Sequence, residues 1–236
     1  MLISGTLTNN GYTQIGCNYA GVGILMQTGG AFKMGTVFNG QFAISRGGTG
    51  VVHTSGGTFN TANQINIGEA SDYGVIRGYG ELTADGDAVV NINGNINMAD
   101  RTNMCAILNF NGGMVAANQI SKSSSRTGSV AYVNFDGGTF RSRVAGNIFN
   151  TGVNAPDAVT LYDEGATFDT TNLDCAVRSP LLAPAGSGVS EISLAPRGGY
   201  IGPPMVNIFG GGGTGATAIA QFDSANGTVN GITVTC

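Results

Sequence analysis

His53 is the one histidine in the chain, so acid–base chemistry near neutral pH would fall to it first. Acidic side chains gather at two places. Asp85-Gly86-Asp87 sets two carboxylates around a glycine, and Asp163-Glu164 lies shortly before Asp169. Hydrolysis of a glycosidic bond uses two carboxylates at a defined separation, and these are the candidates for it. Both groups flank a glycine, however, where Asp is favoured because its side chain hydrogen-bonds its own turn. The turn reading is preferred to a calcium site and to catalysis. Lyase chemistry would want an Arg or Lys base beside an acidic calcium cluster. Arg141 and Arg143 stand one repeat before Asp169 in similar phase, and an outer-face salt bridge accounts for them more simply.

The remaining chemistry-bearing residues are no more committed. Cys17, Cys105, Cys175 and Cys236 are far apart and lack the paired spacing of a metal site. They read as buried or unpaired thiols, and the sequence does not say which two would form a disulfide. The run Gly210–Gly213 is not followed by Lys-Ser/Thr or by a helix, so it reads as a turn rather than a phosphate cradle. No catalytic, cofactor-binding or metal-ligating residue is assigned, and the chain is read as a non-enzyme.

The elements that position these residues are set by a recurring phrase. It runs aliphatic, three residues, Gly or a stand-in, a turn residue, one more residue, then a large apolar side chain. The copies are Leu25…Gly29-Gly30-Ala31-Phe32, Val52…Gly56-Gly57-Thr58-Phe59, Leu82…Gly86-Asp87-Ala88-Val89, Leu108…Gly112-Gly113-Met114-Val115, Val133…Gly137-Gly138-Thr139-Phe140 and Leu161…Gly165-Ala166-Thr167-Phe168. A headless copy, Ser4-Gly5-Thr6-Leu7, opens the chain. The period is about 27 residues, and a fixed period of this size means a solenoid.

Aligning the copies on their first glycine gives columns. An aliphatic column holds Leu25, Val52, Leu82, Leu108, Val133 and Leu161. An apolar, often aromatic column holds Leu7, Phe32, Phe59, Val89, Val115, Phe140 and Phe168. A small-residue column holds Gly23, Gly50, Gly80, Ala106 and Ala131, with Val159 as its sixth member. His53 shares a column with Met26, Thr83, Asn109, Asn134 and Tyr162, which is unlike a site. Strands alternate sides with period two, so stacked like residues fill a bore and the Gly-Gly step turns the corner. Asparagine clusters just outside the strands (Asn63, Asn66, Asn91, Asn93, Asn95, Asn97, Asn118, Asn134, Asn147) and reads as turns and side-chain ladders. Asn91 to Asn97 alternates strictly, as one strand with a polar face would.

Composition agrees with an all-β chain. Charged residues are 10%, against about 25% in an ordinary domain, while hydrophobic residues are 42% and glycines number 40. Net charge is −4, and the 10 Lys and Arg are scattered, so a phosphate-backbone footprint is absent and nucleic acid is not expected as a partner. No apolar run is long enough for a membrane span, and no secretory signal opens the chain. The chain enters mid-repeat, and a longer polypeptide is expected at both ends.

The phrase stops after about Thr171. The expected organisation is β-helix repeats over 1–172, a connector or irregular last coil over 173–197, and a small Gly-rich β unit over 198–236. That last segment, from Gly198-Gly199-Tyr200 through Gly210–Gly213 to Gly231-Ile232-Thr233-Val234, resembles tandem units of large bacterial surface and phage-associated proteins.

Phrases such as Leu108-Asn109-Phe110-Asn111-Gly112-Gly113-Met114-Val115, Val133-Asn134-Phe135-Asp136-Gly137-Gly138-Thr139-Phe140 and Thr54-Ser55-Gly56-Gly57-Thr58-Phe59 resemble the autotransporter-associated β-strand repeat, over about residues 2–172. The resemblance implies a right-handed parallel β-helix in the passenger region of an exported bacterial protein at the cell surface. It carries no shared catalytic residues to transfer. The N-T-D, D-D and G-H-G segments of polygalacturonase-like β-helices are absent. The expected function is a non-enzymatic shaft with weak multivalent contacts to glycans or to host or cell-surface proteins. The alternatives are a phage tail-fibre or tailspike-like β-helix and a polysaccharide-processing enzyme. Tyr73, Tyr79, Tyr132 and Tyr162 are the outward aromatic candidates, too scattered to make a site.

Overall fold

The strand after each glycine corner alternates its faces. In Ala31–Met34, Phe32 and Met34 turn inward and are buried while Lys33 is exposed, and Thr58–Thr61 repeats the pattern with Phe59 and Thr61 buried. Such a strand buries only one face and has two open edges, so it is stable only when stacked on its equivalents. A computed structural model, describing residues 1–18, 21–35, 41–69, 78–123, 127–185, 188–211 and 215–235, has that stacking in three parallel sheets.

The first sheet holds seven strands: Thr6–Asn9, Ala31–Met34, Thr58–Thr61, Val89–Ile92, Met114–Ala117, Thr139–Ser142 and Thr167–Asp169. The second holds five: Thr13–Cys17, Phe42–Arg46, Ile65–Glu69, Ile96–Met98 and Ile120–Lys122. The third holds seven: Val22–Gln27, Thr49–Thr54, Gly78–Asp85, Met104–Asn111, Val130–Phe135, Ala158–Leu161 and Leu181–Leu182. The first five coils visit the sheets in this order, and in the last two a separate parallel pair, Gly146–Asn147 with Cys175–Ala176, takes the middle position. The result is a parallel β-solenoid of about 6 turns with coils of about 26 residues. At the usual strand spacing, the first sheet runs about 30 Å along the axis.

The bore is filled by columns. Phe32 stacks on Phe59 with ring centroids 4.7 Å apart, and Phe42 meets Phe59 edge-on at 5.1 Å. Further along, Phe110 stacks on Phe135 at 4.2 Å. Val52, Leu82, Leu108 and Val133 form a fully buried aliphatic file between them. The small-residue column marks where the third sheet closes on the second. A Cβ on Gly50 would lie 2.3 Å from both the Ile15 carbonyl oxygen and the Ser45 nitrogen. Corners are equally tight: Gly57 has φ +77°, and a Cβ there would lie 2.3 Å from the Gly30 carbonyl oxygen.

Four expectations need correction, and each correction comes from a corner. Val90, not Val89, is the partner of Phe59 and Val115. Asp85 to Ala88 closes a turn, with the Ala88 N–H donating to the Asp85 carbonyl at 3.0 Å. This corner is one residue longer than its neighbours, and a slip of one residue moves a side chain to the other face. In the sixth coil, Val159 is the partner of Val133, and Leu161 is the partner of Phe135. Val159 therefore belongs to the aliphatic column rather than the small one, and Leu161 leaves it. The His53 column consequently ends in Thr160, not Tyr162. The segment Asn91 to Asn97 is two strands rather than one, Val89–Ile92 and Ile96–Met98, with Asn93 to Asn95 turning between them. Ile92 and Ile96 are both fully buried, so the alternation survives the corner and hides it.

The chain divides into two compact units, Met1–Ala183 and Pro184–Cys236. Parallel pairing continues past the last phrase: Cys175–Ala176 pairs with Gly146–Asn147, and Leu181–Leu182 with Val159 and Thr160. The second unit is a small antiparallel sheet in which Thr228–Val234 lies between Ala218–Asp223 and Arg197–Gly198. Its hairpin turn is held by the Asp223 carboxylate, which accepts the Ala225 N–H at 2.9 Å. The glycine run enters this unit with φ +94° at Gly210 and +69° at Gly211. Gly212, Gly213 and the Gly186-Ser187 pair lie outside the described residues.

Candidate functional site

Polar side chains gather on the outer face of the third sheet. His53 stacks in register between Met26 and Thr83, and its Nε2 lies 3.3 Å from Asp85 Oδ2. The histidine side chain is 12% exposed and the aspartate side chain 34%. The imidazole hydrogen bond, with the Gly86 N–H, holds the Asp85 carboxyl below the usual carboxylate range. Nearby, the buried Glu81 carboxylate accepts the Tyr79 hydroxyl at 2.7 Å and the Thr83 hydroxyl at 3.1 Å. The Asn109 amide donates to Thr83 Oγ1 at 3.1 Å, and the Asn134 amide donates to Asn109 Oδ1 at 2.9 Å. Glu81 is thus fixed in a ladder of neutral donors.

The other acids fall on corners. Asp87 is exposed in the same turn as Asp85, and Asp163 and Glu164 occupy the lengthened sixth corner, both exposed. Asp169 is the register partner of Arg141, whose Nε donates to Asp169 Oδ2 at 2.6 Å, the expected outer-face salt bridge. Arg143 instead reaches Asn93 Oδ1 at 3.1 Å. Among the described residues, no three His, Cys, Asp or Glu side chains converge as metal ligands. Cys17, Cys105 and Cys175 are free thiols. Burial and the Glu81 charge push the Cys105 thiol up to about 11. Tyr79, Tyr132 and Tyr162 are half-buried, and Tyr73 and Cys236 lie outside the described residues.

A concave feature lies on the outer face of the second sheet. Two hollows of about 470 Å³ each adjoin there and share Gln41 and Gln64. Three files of side chains build them. Gln41, Gln64 and Asn95 each directly precede a strand of this sheet and so repeat from coil to coil. Asn66, Asn97 and Ser121 point outward from within the strands as register partners. Their side chains are laddered: the Asn97 amide donates to Asn66 Oδ1 at 3.1 Å, and the Ser121 hydroxyl donates to Asn97 Oδ1 at 3.1 Å. Glu69, Asp100, Lys122 and Ser123 add to the wall, with Asn150 and Asn154 beyond them.

A backbone device aims Glu69 and Asp100. Gly16 lies beside Ser45, and Ser45 beside Gly68, by the register on either side of them. All three are left-handed, with φ +73°, +64° and +76°, and Ala99 one coil on has φ +53°. This stacked kink breaks the strict alternation and turns the next residue, Arg46, Glu69 or Asp100, outward. Ser45 takes the conformation without glycine's freedom, and its hydroxyl donates to the Gly48 carbonyl at 2.7 Å.

Sequence reasoning assigned no role to Gln41, Gln64 or Gln119. The signal was present as a second phrase, an amide followed by an apolar residue: Gln41-Phe42-Ala43-Ile44, Gln64-Ile65-Asn66-Ile67, Asn95-Ile96-Asn97-Met98 and Gln119-Ile120-Ser121-Lys122. It went unread because the glycine phrase sets the phase for only one corner per coil.

No helix among the described residues is long and apolar enough to cross a membrane, which bears on helices only. The chain matches no protein-family model, no curated protein and no solved structure.

Proposed function

We propose that the chain is a structural and adhesive module: a stiff solenoid shaft, part of an exported bacterial surface protein of the kind the glycine repeat resembles, that makes weak contacts repeated along its axis. The observation that supports this reading is the axial repetition of polar groups on the second sheet. The Asn66–Asn97–Ser121 ladder and the Gln41–Gln64–Asn95 file present the same chemistry in successive coils. Repeated weak sites on one rigid body bind far more tightly together than singly, because each further contact forms at high effective concentration.

The polar cluster around His53 and Glu81 gives less support to an enzyme. Its carboxylate is spent on Tyr79 and Thr83, and its histidine on Asp85.

Beads carrying the chain test the proposal. Retention on glycan-coated or cell-coated surfaces under flow is expected to rise steeply with chain density on the bead. Absence of retention at any density overturns it. Release of product from a panel of polysaccharides would favour the enzyme reading instead, and a stable trimer in light scattering would favour the tail-fibre reading.

A further inference from the structure

We infer that the hollow on the outer face of the second sheet is a binding groove for an extended, neutral glycan chain; this rests on the adhesive reading above and names its ligand class. Among the described residues, every side chain facing the two hollows is an amide, a hydroxyl or a charged group, apart from Gly94, and none is aliphatic or aromatic. A protein partner takes most of its affinity from buried aromatic and apolar anchors, and the described lining offers no apolar side chain to receive one. A polyhydroxylated ligand suits it, because amide and hydroxyl groups both donate and accept.

Charge narrows the ligand further, because each ionic group among the described residues of the wall has a partner. Glu69 Oε2 accepts the Tyr12 hydroxyl at 2.9 Å and the Asn66 amide at 3.1 Å, with Arg46 Nε 3.8 Å from its other oxygen. Asp100 accepts the Ser123 hydroxyl at 2.8 Å, with Arg101 Nε 3.9 Å from the carboxylate. Lys122 Nζ donates to Asp157 at 2.8 Å. Among the described residues of the wall, no cation is left for a sulfate, phosphate or uronate, and the two carboxylates there repel one. The occupant is therefore neutral.

Spacing along the axis fits a sugar chain. Asn66 and Asn97 are directly paired across neighbouring strands, about 4.8 Å apart along the axis. That rise is close to the length one sugar ring adds to an extended glycan, so successive rings meet successive coils. Each asparagine amide carries two N–H groups, and the ladder takes one from Asn97. The second N–H and the file Gln41, Gln64, Asn95 are the recognition groups. The Tyr12 ring, at the N-terminal end of the sheet, has the Arg46 guanidinium 5.4 Å from its centroid, so it is not a stacking platform. Binding is accordingly weak per site and carried by hydrogen bonds.

The test is NMR titration of the full chain, observing side-chain amide signals, with cellohexaose, maltohexaose, mannohexaose and chitohexaose as neutral probes and hexagalacturonate as the anionic one. At least one neutral probe is expected to shift amide signals of Gln41, Gln64, Asn95 and Asn97 in the millimolar range. Gln64→Ala and Gln41→Ala, both at half-buried positions outside the bore, are expected to weaken that binding about 5-fold each, the size of losing one hydrogen bond. The inference is overturned if no neutral probe moves these signals, or if hexagalacturonate moves them more strongly. It is also overturned if shifts occur but are unchanged in both variants. Bead retention that persists alongside such a failure leaves the adhesive shaft standing and places its contacts elsewhere.

Discussion

His53 and Asp85 face each other across neighbouring coils, with Nε2 3.3 Å from Oδ2. The pair ties the strand Thr49–Thr54 to the exit corner of the strand Gly78–Asp85. Because the carboxyl is held below its ordinary value of 3.8, its contribution to stability is complete above that value and is lost as pH falls through the depressed one. Asp85→Asn is therefore expected to cost about 0.5 kcal/mol near neutral pH, the scale of one part-exposed side-chain hydrogen bond. Its deficit against the parent should shrink once the pH drops below the ordinary carboxylate value. Urea denaturation at a series of pH values measures both, and a deficit that stays constant into strong acid counts against the pair.

The bore predicts a large loss on truncation. Phe110 and Phe135 are fully buried and stacked at 4.2 Å, with Phe140 edge-on to Phe110 at 6.4 Å. Phe110→Ala is expected to destabilise the solenoid by about 3–5 kcal/mol, since neighbouring coils limit collapse around the void. Phe110→Leu should recover more than half of that. Thermal melts of the two variants against the parent decide it.

An opposite sign is expected at Thr54. Its hydroxyl oxygen and Gln27 Oε1 are buried in adjacent positions of one inward file, with no hydrogen-bond partner. Thr54→Val removes a buried unsatisfied group at nearly equal volume. A gain of about 1 kcal/mol is expected. A loss in chemical denaturation would show that the hydroxyl is satisfied after all.

Cys105 should be slow to alkylate. Burial and the Glu81 charge raise its thiol to about 11, so little thiolate is present near neutral pH. Timed iodoacetamide labelling with peptide mass spectrometry is expected to modify Cys105 more slowly than an unstructured thiol. Glu81→Gln should speed it, because one of the two causes is removed. Labelling of Cys105 at the rate of the denatured chain would contradict this.

The sequence carried the columns well and the corners poorly. Phe32, Phe59, Val115 and Phe140 align both in the phrase and in the sheet, because the coil lengths between phrase and strand agree. Val89 and Leu161 do not, because the corners at Asp85–Ala88 and Tyr162–Gly165 each accommodate extra residues before the next strand begins. A corner is solvated and tolerates insertion, while a strand cannot slip without turning its apolar set outward. Counting from a glycine marker therefore fails at the first long corner. The groove was hidden for a different reason. Its amides read individually as turn residues, and only the pairing of Asn66 with Asn97 and Ser121 shows that they share one face.

The ladder bonds of all three sheets run between coils, parallel to the solenoid axis. Tension along that axis therefore falls on inter-coil bonds from each sheet together, and a coil lets go as a set rather than strand by strand. A pulled shaft of this design yields in discrete steps, each releasing about one turn of slack. Under such load the solenoid lengthens by giving up whole coils while those that remain keep their three-sheet packing.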